Sequence, residues 1–360
     1  MKPVLHIITT ICRGGAENQL LTLIREQVGT GRKVSLIFLK DQPELLGELR
    51  QMGVEVHSEF SRLSPLAQVM SIRRFLKGKE VLVHGHLPRA ELIAALAKRG
   101  NALVVTRHNA EKFFPSAPKF LSSALSRYVI RRANATIAIS QSVSDFLHEN
   151  KELPKDVKPV VIYYGYQSNS QHADLKKLRE SLNIPLGAIV IGTVARLTTQ
   201  KDLPTLLHAF ASLESNDNLR LLMVGDGPLR NELKSMAIEL DIRDQVIWAG
   251  RTDKVFAHLS LMDVFVLTST YEGFGLVLLE ALEAHLPVIA SNVSAIPEVL
   301  GPGYPGLVEP GNYRAFAEKI SEFILQDSVD KERIENTGQN RLAFFSAAKM
   351  RQKIDEVYAS

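Results

Sequence analysis

Short apolar runs rich in β-branched residues recur through the first half of the chain, at 3–11, 33–39, 54–56, 81–84, 102–106 and 135–139. Between them lie helix-like stretches at about 16–29, 43–52, 64–77, 89–99, 119–132 and 142–149. The short runs fit strands buried on both faces, and the longer stretches fit helices with one apolar side. Their alternation predicts a parallel sheet covered by helices. The pattern breaks at Gly165-Tyr166-Gln167-Ser168-Asn169-Ser170-Gln171-His172, polar and turn-rich, which reads as a linker. It restarts with apolar runs at 188–194, 219–224, 245–249, 263–268 and 287–290, and helices near 202–214, 228–239, 253–261, 276–284 and 312–326. The last twenty residues, with Leu342, Phe345, Met350, Ile354, Val357 and Tyr358 apolar, predict a closing helix.

The expected architecture is α/β, with two doubly wound, Rossmann-like domains over 1–165 and 166–340 and a segment 341–360 packing back toward the first. A length of 360 residues agrees, at roughly 150 residues per domain. Ligands of such sheets sit beyond the carboxyl ends of the strands, so chemistry is expected in a cleft between two facing domains. Hydrophobic residues at 45% and charged residues at 23% exclude disordered and fibrous classes. The single cysteine, Cys12, can form neither an internal disulfide nor a thiolate zinc cluster, which suits a reducing compartment. The opening apolar run contains His6 and has no small-residue cleavage site, so it reads as a first strand and not a signal peptide. No run approaches the roughly 18 apolar residues of a membrane-spanning helix. A cytoplasmic protein is expected.

Charge adds an asymmetry. Residues 1–160 hold 24 Lys+Arg against 14 Asp+Glu, and residues 161–360 hold 19 against 25, so +10 and −6 make up the net +4. A basic first half suits an anionic partner: a phosphorylated substrate, an anionic membrane surface or a nucleic acid. Arg127, Arg131 and Arg132 near Phe113, Phe114, Phe120 and Leu121 fit such a surface, and equally a solvated helix with a buried apolar face.

The strongest motif runs from Thr268 to Ala281. A strand enters a turn with Gly273 and Gly275, and a helix opens near Leu276, so backbone N–H groups of Phe274, Gly275 and Leu276 offer an anion site. Glu280 lies one turn along that helix and Glu272 just before the bend, so two carboxylates flank a phosphate-sized pocket. Carboxylates there can accept hydrogen bonds from sugar or ribose hydroxyls. The second motif places Arg196 and Lys201 in the loop after the strand that ends near Val194, well set to grip a diphosphate. The third is Arg13-Gly14-Gly15-Ala16-Glu17, two glycines opening a helix after the first strand. It is not G-x-G-x-x-G, which weakens a dinucleotide reading. Leu222-Met223-Val224-Gly225-Asp226-Gly227-Pro228 either borders a base or turns the chain.

His84-Gly85-His86-Leu87-Pro88-Arg89 and Thr106-Arg107-His108-Asn109-Ala110-Glu111-Lys112 both follow strands and bring imidazoles toward the same cleft. His84 and His86 lack a nearby carboxylate or cysteine to complete a metal site. The sequence holds no Asp-x-Asp pair, so no metal is expected and cations with a helix N-terminus take its place.

With these residues the chain resembles the retaining GT-B glycosyltransferases of family 4, the glycosyl transferases group 1. The likeness spans essentially the whole chain. It is most specific from Gly192 to Pro310, through Arg196 with Lys201, Val224–Arg230, Glu272–Glu280, Leu286–Ala290, Ile296–Val299 and Glu309–Asn312. Gly14-Gly15-Ala16-Glu17 matches the family's N-terminal loop, and His86 falls where the family places an active-site histidine. The resemblance implies metal-independent transfer, with retention, from a nucleotide-diphosphate sugar bound mainly by the second domain. Arg196 and Lys201 would hold the diphosphate with the N–H groups of Phe274, Gly275 and Leu276. Glu280 would bind ribose and Glu272 the sugar hydroxyls. His86 would approach the sugar, and Gly14 and Gly15 the distal phosphate. A glycan or lipid-linked acceptor would sit on the basic first domain, and the enzyme would lie peripherally at the inner membrane face, serving polysaccharide or glycolipid synthesis. Retention has two routes, a covalent glycosyl-enzyme or front-face attack assisted by the leaving phosphate, and no obvious nucleophile presents itself. The chain departs from the family at Val161-Ile162-Tyr163-Tyr164-Gly165-Tyr166-Gln167, where Val-Ile-Pro-Asn-Gly-Ile-Asp is usual, and at His285, where a glycine is common.

Rival readings are a sugar-nucleotide epimerase or hydrolase of the same fold, a nicotinamide dehydrogenase and a nucleic-acid binder. The last is suggested by a sequence pI near 9 and opposed by the acidic second half.

Overall fold

The computed structural model describes residues 1–41, 43–168, 174–214, 218–325 and 328–360, without the side chains of 328–335. It divides into two units, Met1–Gln167 with Phe345–Ser360, and Ser168–Phe344. The expected linker lies partly outside the described residues, at 169–173. Its first residues belong to unit 1, where Tyr166 N donates to Phe345 O and Ala347 N to Tyr166 O at 3.0 Å.

Unit 1 holds a seven-stranded parallel sheet of order β3-β2-β1-β4-β5-β6-β7. Its strands are β1 Val4–Ile8, β2 Val34–Phe38, β3 Glu55–His57, β4 Leu82–His86, β5 Leu103–Arg107, β6 Ala135–Ala138 and β7 Val160–Val161. Side chains alternate between its faces. Leu5 and Ile7 of β1 join one core cluster with Val83 and Val105. Val4, Leu82 and Val104 point the other way, against Leu23 and the last helix's Met350 and Ile354. His6, His84, His86 and Thr106 share this second face.

Unit 2 holds a six-stranded parallel sheet of order β10-β9-β8-β11-β12-β13. Its strands are β8 Ile189–Val194, β9 Leu219–Val224, β10 Val246–Gly250, β11 Val264–Leu267, β12 Val288–Ser291 and β13 Leu307–Val308. Its main cluster combines Ile191, Leu221, Met223, Val264 and Val266 with Leu206, Phe210, Phe316 and Ile320 of covering helices. In each sheet the chain winds outward one way and then reverses, between β1 and β4 in unit 1 and between β8 and β11 in unit 2. Such reversals leave a crevice where the flanking loops diverge.

The end of the chain differs from the expected single helix over 341–360. Residues 341–344 finish a helix Ser328–Phe344, and a second helix runs Ala347–Ala359. Ser346 separates them with extended φ and ψ of −62° and 144°, and its hydroxyl accepts from Lys349 N at 3.4 Å. The N-cap geometry restarts the helix. Phe345 before it, and Met350 and Ile354 on it, are buried.

Candidate active site

The loops after β8 and β11 leave the sheet side by side, since the two strands pair at Val264–Ile191 and Phe265–Gly192. Hydrogen bonds stitch the loops together: Thr270 N donates to Gln200 O at 2.8 Å, and Thr268 Oγ1 donates to Lys201 O at 2.9 Å. Gln200 Nε2 donates to Tyr271 O at 3.0 Å. Lys201 is thereby held against Glu272, with Nζ donating to Oε1 at 2.5 Å. Glu272 is buried, and Ser269 Oγ donates to the same oxygen at 2.6 Å. Arg196, on the same loop as Lys201, is exposed, and its guanidinium has no hydrogen-bond or ionic partner among the described residues.

Gly225 explains how the Arg196 loop is supported. Its φ is +131°, and a Cβ there would lie 1.9 Å from Ala195 O. Only glycine lets the β9 loop pack so closely under Ala195–Leu197, where Ala195 N bonds Val224 O and Leu197 N bonds Asp226 O. The Val224–Pro228 segment therefore turns the chain and braces the cationic loop.

The helix Leu276–Glu283 begins where expected. Gly275 is its N-cap with φ +88°, and no side chain caps the first turn. The first-turn N–H groups leave a positive end toward the loop that carries Glu272. Glu280 is half-buried on this helix. Burial first, and the negative charge of Glu283 second, push its carboxyl up to about 7. Phe274 is buried and Leu276 half-buried. Past the helix, His285 is exposed in the left-handed region at φ +57°.

In unit 1, Gly14 is the N-cap of the helix Gly15–Gly29, again without a side-chain cap. Glu17 lies in that first turn, and its Oε1 accepts from Thr10 Oγ1 at 2.7 Å. A Cβ on Gly14 would meet Glu17 Oε2 at 2.5 Å.

His86 is placed differently from the outward-facing imidazole expected of it. It is 2% exposed, and both ring nitrogens meet other histidines, Nε2 with His6 Nδ1 at 2.9 Å and Nδ1 with His108 Nε2 at 3.1 Å. Proton accounting orders the whole set. Gln27 Oε1 only accepts, so His6 carries its proton on Nε2 and donates there at 2.9 Å. A neutral His6 must then accept at Nδ1 from His86, which accepts from His108, which accepts from Tyr164 Oη at 2.5 Å. On the other branch Gln27 Nε2 donates to Tyr358 Oη at 3.3 Å, Tyr358 donates to His84 Nδ1 at 2.6 Å, and His84 Nε2 donates to Thr106 at 2.7 Å. All four imidazoles are neutral. Burial lowers His6 to about 4 and His108 to about 3, and holds His84 and His86 well below the usual histidine range. One ring nitrogen from each of His6, His84 and His86 lies within 4.8 Å of the other two, yet every ring nitrogen of the three already has a hydrogen-bond partner. His6 was not among the sequence candidates. It faces His84 only because β1 pairs with β4 at that position.

The basic-aromatic patch is also sorted. Phe113 is core, 1% exposed, with the Arg107 guanidinium 4.2 Å from its ring centroid. Arg107 Nε lies 3.0 Å from Glu91 Oε2 in a buried ion cluster with Glu152. On the helix Lys119–Arg132, Phe120, Leu121 and Tyr128 are exposed beside Lys119, Arg131 and Arg132.

Comparison with known proteins agrees with this arrangement of sheets and loops. Residues 174–341 match the glycosyl transferases group 1, and residues 13–168 match glycosyltransferase family 4. The chain belongs to family 4 of the glycosyltransferases. Among curated relatives it is 27% identical over 281 residues to N-acetyl-alpha-D-glucosaminyl L-malate synthase of Bacillus anthracis, covering 77% of this chain and 73% of the relative. It is 27% identical over 312 residues to the capsular polysaccharide biosynthesis glycosyltransferase CapM of Staphylococcus aureus, covering 83% and 81%. Among solved structures, Anabaena HepE in complex with UDP superposes with a TM-score of 0.82 at 22% identity over 100% of both chains. This family 4 glycosyltransferase therefore has the GT-B fold, with two parallel-sheet, Rossmann-like domains.

Proposed function

We propose that this glycosyltransferase moves a sugar, with retention and without a metal, from a nucleotide-diphosphate donor to a glycan or lipid-linked acceptor. The observation that carries the reading is the Lys201–Glu272 ion pair at the β8/β11 reversal of unit 2, between the loop that also carries Arg196 and the loop that leads into the uncapped helix start at Gly275. Departure of a nucleoside diphosphate builds negative charge on its distal phosphate while the sugar becomes oxocarbenium-like. Preorganised cations and backbone dipoles aimed at that charge lower the barrier. Arg196 supplies a planar fork of donors, Lys201 a point charge, and the first turn after Gly275 aligned N–H groups. These fixed charges perform the neutralisation for which a divalent ion would otherwise serve. Glu272 accepts from sugar hydroxyls and Glu280 from the ribose. His86 takes no contact with the sugar in this reading, because both its nitrogens are occupied.

HepE was crystallised with UDP and with UDP-glucose, and CapM serves capsular polysaccharide biosynthesis, so a uridine donor and a cell-surface glycan lead the search. The exposed Phe120, Leu121 and Tyr128 among cations support an anionic membrane surface as the place where a lipid-linked acceptor is met. Thermal-shift screening with UDP-, GDP- and ADP-sugars in EDTA identifies the donor. Proton NMR of the product then reads the anomeric configuration. Free sugar or an epimer formed from donor alone would instead indicate a hydrolase or epimerase.

A further inference from the structure

Glu272 is held by one oxygen. Oε1 receives both Lys201 Nζ, at 2.5 Å, and Ser269 Oγ, at 2.6 Å, while Oε2 has no hydrogen-bond partner among the described residues. The two donors differ in kind. Lys201 is a mobile point charge on a four-carbon stem, and under the proposed function it must serve a diphosphate. A diphosphate carries more negative charge than one carboxylate oxygen and draws the ammonium toward itself. Glu272 then loses its counter-ion at the moment it has to stand still beside an anionic ligand. Ser269 does not face that competition. Its hydroxyl is uncharged, turns about one bond, and belongs to a residue 0% exposed two positions past the end of β11, out of reach of a ligand outside the loop.

We propose that Ser269 is a positioning residue that keeps the Glu272 carboxylate in place when Lys201 transfers from Glu272 to the donor diphosphate. Oε2, left open, is the oxygen presented to the sugar. The inference rests on the proposed role of Glu272 as a sugar ligand and adds the group that fixes it.

Crystal structures of Lys201→Ala and of Lys201→Ala/Ser269→Ala test the holding role without any ligand. The Glu272 carboxylate is expected to stay within about 0.5 Å of its place in the first and to leave it in the second. A carboxylate displaced already in Lys201→Ala, or unmoved in the double variant, overturns the proposal. In solution, calorimetry compares each of UDP-, GDP- and ADP-glucose with its own nucleoside diphosphate. Ser269→Ala is expected to leave nucleoside-diphosphate affinity within about twofold and to erase on the order of tenfold of the gain that the sugar adds, as for one hydrogen bond to a charged group. Ser269→Thr, which keeps the hydroxyl, restores the gain. An equal loss for both ligands with a lowered Tm, unrescued by Thr, marks a merely structural residue and also overturns the proposal. Glu272→Gln separates the two readings: if it leaves the sugar gain intact, Glu272 is not the sugar ligand, and the ligand-free structures still decide what Ser269 does.

Discussion

The buried imidazole chain makes unit 1 acid-sensitive in a way that can be worked through. His6, His84, His86 and His108 stay neutral when folded and take protons freely when unfolded. Below about pH 6.5 the unfolded chain binds more protons, so their contribution is complete above that pH and is lost as pH falls. At pH 5, His6 at about 4 and His108 at about 3 each withdraw about 2 kcal/mol, and His84 and His86 act in the same direction. Glu91 opposes them. Burial raises its carboxyl to about 7, so the folded state keeps a proton that the unfolded state has lost, and acidification to pH 5 returns about 2–3 kcal/mol. Four histidines outweigh one carboxyl, and several kcal/mol is a large share of a typical 5–15 kcal/mol domain stability. Glu280 in unit 2 has a raised carboxyl, so that unit gains as pH falls toward 5. The chain has one tryptophan, Trp248, and it reports unit 2. Urea unfolding at pH 7.5 and 5.0 is followed by its fluorescence and by circular dichroism. The expected result is a transition seen only by dichroism that moves to lower urea at pH 5, while the Trp248 transition holds or rises. A unit 1 midpoint unchanged or raised at pH 5 would refute the neutral-chain argument.

Other outcomes follow from single sites. Arg196→Ala and Lys201→Ala should each lower transfer on the order of 10²-fold, as for loss of one preorganised donor, measured by donor turnover with acceptor; Arg196→Ala should leave Tm unchanged and Lys201→Ala should lower it, because the buried Glu272 loses its counter-ion. His285→Gly should raise stability by up to about 1 kcal/mol, because a non-glycine residue at φ +57° carries left-handed strain; an unchanged urea midpoint would count against it. Glu280→Gln should flatten the change in unit 2 stability between pH 5 and 8, read by Trp248 fluorescence, because it removes the carboxyl raised to about 7. Phe120→Ser/Leu121→Ser should weaken sedimentation with phosphatidylglycerol vesicles and leave soluble-donor binding intact.

Much of the fold was legible because a parallel sheet writes itself as apolar runs at regular intervals, and β1, β2, β6, β8 and β9 lie within those runs. Elements without such a signature were not. β7 and β13 are two residues long, and the helix Ser328–Phe344 is too polar to show an apolar period. In the candidate site, what is local in sequence could be read: the Gly275 bend, the helix at Leu276 and the carboxylate one turn on. What depends on strand order could not. Lys201 and Glu272 are 71 residues apart and meet because β8 lies beside β11. His86 shows the same limit, since a histidine ending a strand looks free until β1 and β5 are known to flank β4 with His6 and the residues around His108 on the same face.

The cationic loop of unit 2 is best tested by donor binding itself. Calorimetry of the wild-type chain with the preferred nucleotide-sugar in EDTA should give saturable binding, weakened at least tenfold in both Arg196→Ala and Lys201→Ala, as for lost charge-assisted bonds. Binding that needs an added divalent cation, or that is undiminished in both variants, would contradict it.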